Sequence, residues 1–406
     1  MTDRSTISTA VLEKTYSQLF SWCREKDFAG HDPFDALNST VFQKTPLKSS
    51  RNARLIWTQL LKRSPSDFRA FLKVPLQRNA KGVALFALAQ LADYRTYKTT
   101  DSEAKVCAFL SDLKQMQLSG YSGAAWGYNF DWQSRNFFAP RNTATIVPTA
   151  FAGRAFLEAA RALNNKDYLD QARSICDFII ADLPRTFETS KEICFSYAPH
   201  TSTQIFNASL LAAEILAGVN AFTREKELLE LAERATRFVV NYQRRDGSWA
   251  YGAAPAQSWI DNFHTAYVLS SLARLVETLP AKKEFLSALE RGYEFWKKSF
   301  FLADGWPKYY HDHLFPADVH AGASAIVTFL ELTDLDSQAR VHAEKVAEWL
   351  ITNMRDERGF FYYQRHRFYT VRKPYMRWSE AWMLYALARL RESRISKSQL
   401  NLAGYV

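Results

Sequence analysis

Cysteine is scarce: four in 406 residues, Cys23, Cys107, Cys176 and Cys194, with no CxxC or CxxH spacing. Such scattered thiols argue against a disulfide frame or a cysteine zinc site and read as reduced core residues. Long apolar runs are missing too. No eighteen uninterrupted apolar residues occur, so no membrane span is expected. Met1-Thr2-Asp3-Arg4-Ser5 opens without the basic and apolar regions of a signal peptide, and the expectation is a soluble, cytoplasmic protein. No long stretch alternates as a strand would, which leaves helices to carry the fold. Acidic residues are outnumbered, 42 against 52 basic, giving a net charge of +10 that favours an acidic partner.

Aromatic residues, in contrast, are abundant at 15%. Many fall in a recurring phrase: Gly247-Ser248-Trp249-Ala250-Tyr251, Gly305-Trp306-Pro307-Lys308-Tyr309-Tyr310 and Gly359-Phe360-Phe361-Tyr362-Tyr363. Weaker copies stand at Gly123-Ala124-Ala125-Trp126-Gly127-Tyr128 and Cys194-Phe195-Ser196-Tyr197. A repeat of this length, one supersecondary unit per period, implies a solenoid or a closed ring.

The helical segments between the copies alternate in character. One set is rich in small residues and apolar nearly all round: 81–94, 145–162, 204–219, 265–275, 319–332 and 381–390. The other is amphipathic: 53–62, 102–118, 166–183, 224–242, 281–300 and 338–354. Helices apolar on every side are buried, and one-sided helices face water. Six of each predict an all-α fold, an (α/α)6 toroid or barrel of six helical hairpins. The expected organisation is a lead-in helix and wrap over 1–50, the toroid over 51–395, and a tail over 396–406. Links from outer to inner helices are long and carry the aromatic phrases, whereas return links such as Asn164-Asn165 and Leu279-Pro280 are short. Long loops in compact domains tend to be functional. Here they surround the inner-helix N-termini, whose free N–H groups favour anions.

Candidate chemistry gathers at that end. His264 lies three residues after Asp261, so on a helix the carboxylate can orient the imidazole. His320 opens the next inner helix at what reads as the corresponding place. Tyr309, with a neighbouring cation, can serve as acid or base. The expected catalytic set is His264, Tyr309, His320 and Asp261. Arg377 is placed to clamp a carboxylate or phosphate, with a salt bridge to Glu380 as its competitor. Asn207, Asp131, Trp132, Gln133, Trp249, Tyr251, Asn262, Tyr310, Trp378 and Glu380 complete the expected substrate-binding group. His311 and His313 read as solvated loop residues. No cofactor is expected, and His264, His320, Asp261 and Asp318 lack metal-ligand spacing. Glycoside hydrolysis is the rival chemistry; it needs two carboxylates, about 5–5.5 Å or about 6.5–9.5 Å apart. Asp131, Asp261, Asp312, Asp318 and Glu380 are its candidates. Basic and aromatic residues also interleave between Arg355 and Arg377, as in single-strand nucleic-acid tracks. No nucleic-acid fold signature accompanies them, so nucleic acid is disfavoured.

Gln243-Arg244-Arg245-Asp246-Gly247-Ser248-Trp249 resembles the QW repeat of the terpene cyclase and prenyltransferase toroids, without their acidic or zinc-binding motifs. Phe130-Asp131-Trp132-Gln133, Trp259 to Thr265, Tyr309-Tyr310-His311 and Tyr375 to Trp382 resemble a toroid family from bacterial exopolysaccharide, capsule and lipopolysaccharide gene clusters. Asn262-Phe263-His264-Thr265 is similar to a segment in the helical domain of glucuronyl C5-epimerases. These resemblances imply a carbohydrate-active protein of polysaccharide biosynthesis or processing, acting on an acidic oligo- or polysaccharide, lipid-linked forms included. Peripheral contact with membrane-bound glycan assembly enzymes is a further expectation. A uronosyl C5-epimerase or lyase leads. A carboxylate-pair glycoside hydrolase and a non-catalytic glycan-binding or scaffold protein are the alternatives.

Overall fold

The computed structural model describes residues 7–134, 137–279 and 283–403, with side chains to 395. Residues 1–6, Arg135, Pro280, Ala281 and the last three residues of the expected tail lie outside the described residues. The chain forms helices α1 (Thr9–Glu25), α2 (Thr40–Gln43), α3 (Arg51–Arg63), α4 (Ala80–Tyr97), α5 (Thr100–Gln115), α6 (Ile146–Leu163) and α7 (Lys166–Ala181). There follow α8 (Phe206–Thr223), α9 (Lys226–Asn241), α10 (Asn262–Thr278), α11 (Lys283–Phe300), α12 (Val319–Glu331), α13 (Ala339–Asn353) and α14 (Ala381–Ala403), the last led by a π turn over Met376–Glu380. The final helix thus runs past 395, where a tail was expected to begin.

The even-numbered helices from α4 to α14 form a closed inner ring: each packs on the next, and α14 packs back on α4. Their sequences explain this. In α4 every residue from Ala80 to Ala92 is buried, which only an apolar helix surrounded by protein tolerates. α9 instead buries Leu228, Leu231, Ala232, Ala235, Thr236, Phe238 and Val239, one stripe at helical spacing. α8 is long and apolar enough to cross a membrane, and most of it is buried inside the ring. Inner helices α4, α6 and α8 stop at a left-handed residue, Lys98, Asn164 or Arg224, and the next outer helix begins two residues later.

The turn glycines reveal how the ring is completed. Gly247, Gly305 and Gly359 have φ near +90 to +102°, a conformation costly for any side chain. Each presses on the backbone of an outer helix: a Cβ at Gly247 would meet Arg291 O of α11 at 2.4 Å, at Gly305 Lys345 O of α13 at 2.4 Å, and at Gly359 Gln18 O of α1 at 3.0 Å. α1 therefore takes the sixth outer position, packed on α14. The sequence reading gave that place to 53–62. Instead α3 stands on the short turns Asp35–Asn38 and Pro46–Ser49 and on the strand Trp132–Gln133, at the loop end. Both are amphipathic helices, and an apolar stripe does not say which partner covers it.

At the loop end three small antiparallel sheets shape the rim: Trp132–Gln133 with Phe138–Ala139, Arg185–Glu188 with Ile193–Phe195, and Ala317–Asp318 with Gln364–Arg365 and Thr370–Val371. Midway down the axis, Phe151, Tyr267 and Trp382 pack with ring centroids 5.4–5.8 Å apart. Below them, four arginines and four glutamates interlock. Arg95 pairs with Glu158 and Glu392, Arg154 with Glu214, Arg274 with Glu158, Glu214 and Glu331, and Arg389 with Glu331 and Glu392.

Candidate active site

A cavity of about 660 Å³ opens at the loop end. Its inner wall has a simple rule. The second helical residue of every inner helix lines it: Lys81, Val147, Asn207, Phe263, His320 and, in the π turn, Arg377. The six helix N-termini converge there, and anions are favoured at such ends.

His264 is the third residue of α10, one step beyond that ring. Asp261 caps the helix, its Oδ1 accepting from His264 N at 3.0 Å. Its Oδ2 lies 2.7 Å from His264 Nδ1 and accepts from Trp259 Nε1 at 3.0 Å. One carboxylate thus starts the helix and fixes the ring, leaving Nε2 for the cavity. Tyr251 stacks on Trp259 at 4.5 Å and packs on His264 at 4.5 Å. His320 corresponds to Phe263 and not, as expected, to His264. The Phe263 ring therefore lies against both imidazoles, with centroids 4.0 and 4.8 Å away.

His320 belongs to a buried chain across the cavity floor. Tyr267 Oη accepts from Lys81 Nζ at 2.8 Å and lies 2.6 Å from His320 Nε2. Burial, reinforced by Lys81 and Arg377, holds the His320 pKa well below the usual histidine value. The ring is held neutral, and its Nδ1 is buried with no hydrogen-bond partner among the described residues. Burial, with Arg377 adding, pushes the Lys81 ammonium down as well. Burial raises Tyr309 far above the ordinary tyrosine range, so its hydroxyl stays protonated; the residue lines the cavity.

Lys62 projects from α3 into the same space. It lies 4.3 Å over Phe34 and 5.9 Å from the rings of Tyr363 and Trp378. Burial pulls its pKa down to about 8, against the pull of Asp318. No hydrogen bond or ion pair from a described residue reaches it. Sequence alone does not single out Lys62, because the amphipathic pattern makes α3 an outer helix, where a lysine is ordinarily solvated. Lys81 did carry a signal: a lysine inside an apolar inner helix requires a partner or a ligand.

Arg377 lines the cavity but does not present a free fork. Its Nε and Nη2 bind Asp32 Oδ2 and Oδ1 at 2.6 and 2.8 Å, both groups buried. Removing either partner of such a pair costs about 3–5 kcal/mol. Asp32, not Glu380, is the competitor, and it leaves both N–H groups of Nη1 and the second one of Nη2 unclaimed. Glu380 lies outside the cavity in the wall, fully buried, accepting from Phe361 N at 3.0 Å, with burial holding its pKa far above the usual carboxylate value.

Other expected contacts divide. Asn207, Trp132, Tyr251, Tyr310 and Trp378 line the cavity, and the Asn207 Oδ1 is buried without a partner among the described residues. Gln133 also lines it, but its Oε1 is held by Arg54 at 2.8–2.9 Å. Asp131 lies outside, accepting from Arg141 N at 2.8 Å in a turn. Trp249 is a buried hook, donating to Val239 O at 2.9 Å as Trp126 does to Leu113 O at 2.7 Å. Asn262 is buried between Lys308 O and Trp296 Nε1. His311 and His313 stand at the mouth beside Asp312, His313 exposed to solvent as expected. Of the candidate carboxylates, only Asp261 and Asp312 line the cavity among the described residues, and Asp312 is tied to His313 at 2.6 Å. Asp318 lies behind Trp378, bound by Gln364 Nε2 at 2.7 Å, with burial raising its pKa to about 6.

The chain matches no protein-family model and no curated protein. Solved structures do resemble it. A cellobiose 2-epimerase from Bacillus thermoamylovorans superposes with TM-score 0.61 at 13% identity, over 79% of this chain and 90% of that one. An unsaturated glucuronyl hydrolase specific for heparin gives 0.62 at 14%, over 95% and 98%. A GH76 α-mannanase from Bacteroides thetaiotaomicron gives 0.60 at 12%, over 80% and 88%. The shared feature is the fold, an (α/α)6 toroid. At these identities the likeness extends no further, and the residues of the cavity have to speak for the chemistry.

Proposed function

We infer that this protein acts on an acidic carbohydrate as a uronosyl C5-epimerase or lyase. The observation that carries this reading is the Asp261-oriented His264 in one cavity with the protonated Tyr309 and with Lys62, which no hydrogen bond or ion pair from a described residue reaches. The proton at C5 of a uronate is acidic only when its carboxylate is neutralised or strongly hydrogen-bonded. Lys62 and the Nη1 of Arg377 supply that charge. His264 Nε2 removes the proton. In epimerisation Tyr309 returns one to the other face; in elimination it protonates the departing C4 oxygen. Asn207 Oδ1 accepts from a sugar hydroxyl, and Trp132, Tyr251 and Trp378 offer ring faces to the apolar side of the sugar. Carbohydrate enzymes among the structural neighbours, one named for a glucuronyl substrate, support the substrate class.

The test is incubation with uronate-containing oligosaccharides in D₂O, followed by NMR. Deuterium at C5 without cleavage identifies an epimerase, and a new C4–C5 double bond identifies a lyase; His264→Ala abolishes either. Saturable binding with no exchange and no double bond would overturn the reading.

A further inference from the structure

The exposed apolar surface is distributed unevenly. Among the described residues, every large hydrophobic side chain that is more than half exposed lies in one of two segments. Leu47, Ile56, Leu60, Phe68, Phe71 and Leu76 belong to the excursion between α1 and α4, and Phe368 tips the Gln364–Arg365/Thr370–Val371 hairpin. Phe368 and Phe71 are 87% and 81% exposed. The segments adjoin: Lys373, after the hairpin, donates to Leu61 O of α3 at 2.9 Å. On α3, Leu55, Gln59, Lys62 and Arg63 line the cavity while Ile56 and Leu60 face away from it, so the apolar surface borders the mouth.

Charge selects the partner. Lys44, Lys48, Lys73, Arg367 and Arg372 are exposed on the same segments, and Asp67 is the one acidic residue within 41–76 and 364–373. A second copy of this chain would bring the same positive charge to the contact. Apolar tips on segments rich in exposed lysine and arginine match a surface with phosphates outside and acyl chains beneath. We propose that the α2–α3 excursion and the 364–373 hairpin form a docking surface for an anionic lipid bilayer, which holds the cavity mouth at the membrane. The lipid is recognised through headgroup charge and shallow insertion of Phe71, Phe368 and their apolar neighbours. This surface is distinct from the cavity, so vesicle binding and sugar chemistry stand or fall separately.

Sedimentation with phosphatidylcholine vesicles, with and without phosphatidylglycerol, tests it on the full chain. Binding to the anionic vesicles only, weakening with added salt, is expected. Phe71→Ser/Phe368→Ser and, separately, Lys44→Glu/Lys48→Glu should each weaken it about tenfold or more. All four positions are exposed, so thermal melting should be unchanged. In Phe368→Trp, brominated acyl chains should quench emission beyond the wild-type level. Absence of binding to either vesicle overturns the proposal, as does binding indifferent to the phenylalanine pair. Concentration-dependent self-association, lost in the same variants while vesicles are ignored, would make the face a protein contact and also overturn it.

Discussion

The hydroxyl of Tyr267 lies 2.6 Å from Nε2 of His320 and takes its other hydrogen bond from Lys81, joining three inner helices beneath the cavity. Tyr267→Phe removes the shared partner and leaves a buried amine and a buried imidazole nitrogen unsatisfied. Each such orphan costs about 1–3 kcal/mol. Chemical denaturation should therefore show a loss of about 2 kcal/mol or more. Lys81→Met in the same chain should recover part of it, a non-additivity that a double-mutant cycle measures.

Asp261 has two duties that substitution separates. Asparagine caps helices as well as aspartate does, whereas alanine forfeits about 1 kcal/mol. Asp261→Asn should melt within a few degrees of wild type, yet lose activity about a hundredfold or more, because Nδ1 of His264 no longer faces a carboxylate. Asp261→Ala should lose both. Melting curves alongside C5 deuterium exchange rates distinguish the two effects.

Lys62 sets an alkaline limit on binding. With its pKa lowered to about 8, the side chain is cationic below that pH and neutral above it, well before an ordinary lysine would be. Affinity for a uronate oligosaccharide should fall as pH rises through about 8, and affinity for a neutral sugar should not. Lys62→Gln should bind the uronate roughly 10–100-fold more weakly at neutral pH, the worth of a charged hydrogen bond, and flatten the profile. Calorimetry across pH provides the check.

Two glycines offer a matched comparison. Gly120 and Gly305 share a positive φ, +85° and +92°, but a Cβ at Gly120 meets nothing within 4 Å, while one at Gly305 meets Lys345 O at 2.4 Å. Gly120→Ala should cost about 1–2 kcal/mol, from backbone strain alone. Gly305→Ala should cost clearly more, because α13 must move. Denaturant midpoints at constant slope would measure the difference.

Removal of residues 1–26 provides a sharper test of the ring. If α1 were a lead-in, the rest would fold without it. As the sixth outer helix it packs on α14 and buries Leu12, Tyr16, Leu19 and Cys23, and Tyr16 Oη accepts from Gln90 of α4. The truncated chain should lose its cooperative melting transition, as followed by circular dichroism.

The fold was legible because it repeats. Small-residue helices apolar all round, such as Ala208 to Ala213, alternate with one-sided helices and suffice to specify two rings. The Asp261–His264 pair was legible because three residues on a helix bring a capping carboxylate to the ring. Arg377 and Asp32 lie 345 residues apart, and no local pattern connects them. The equation of His320 with His264 fails by one residue, a slip of about 100° around a helix, which puts the two imidazoles at different places around the cavity. A recurring tryptophan such as Trp249 looks the same in sequence whether it stacks on a sugar or hooks a turn to its helix.

The floor of Phe151, Tyr267 and Trp382, with the interlocked arginines and glutamates beneath, makes the ring a cul-de-sac. A polymer cannot be threaded through it. A long glycan would have to offer a terminus or a bend, and each product would have to back out by the way it came. Turnover on a chain would then proceed by release and return, with a new end or a new bend each time, and the spacing of altered sugars along a product would record those separate visits.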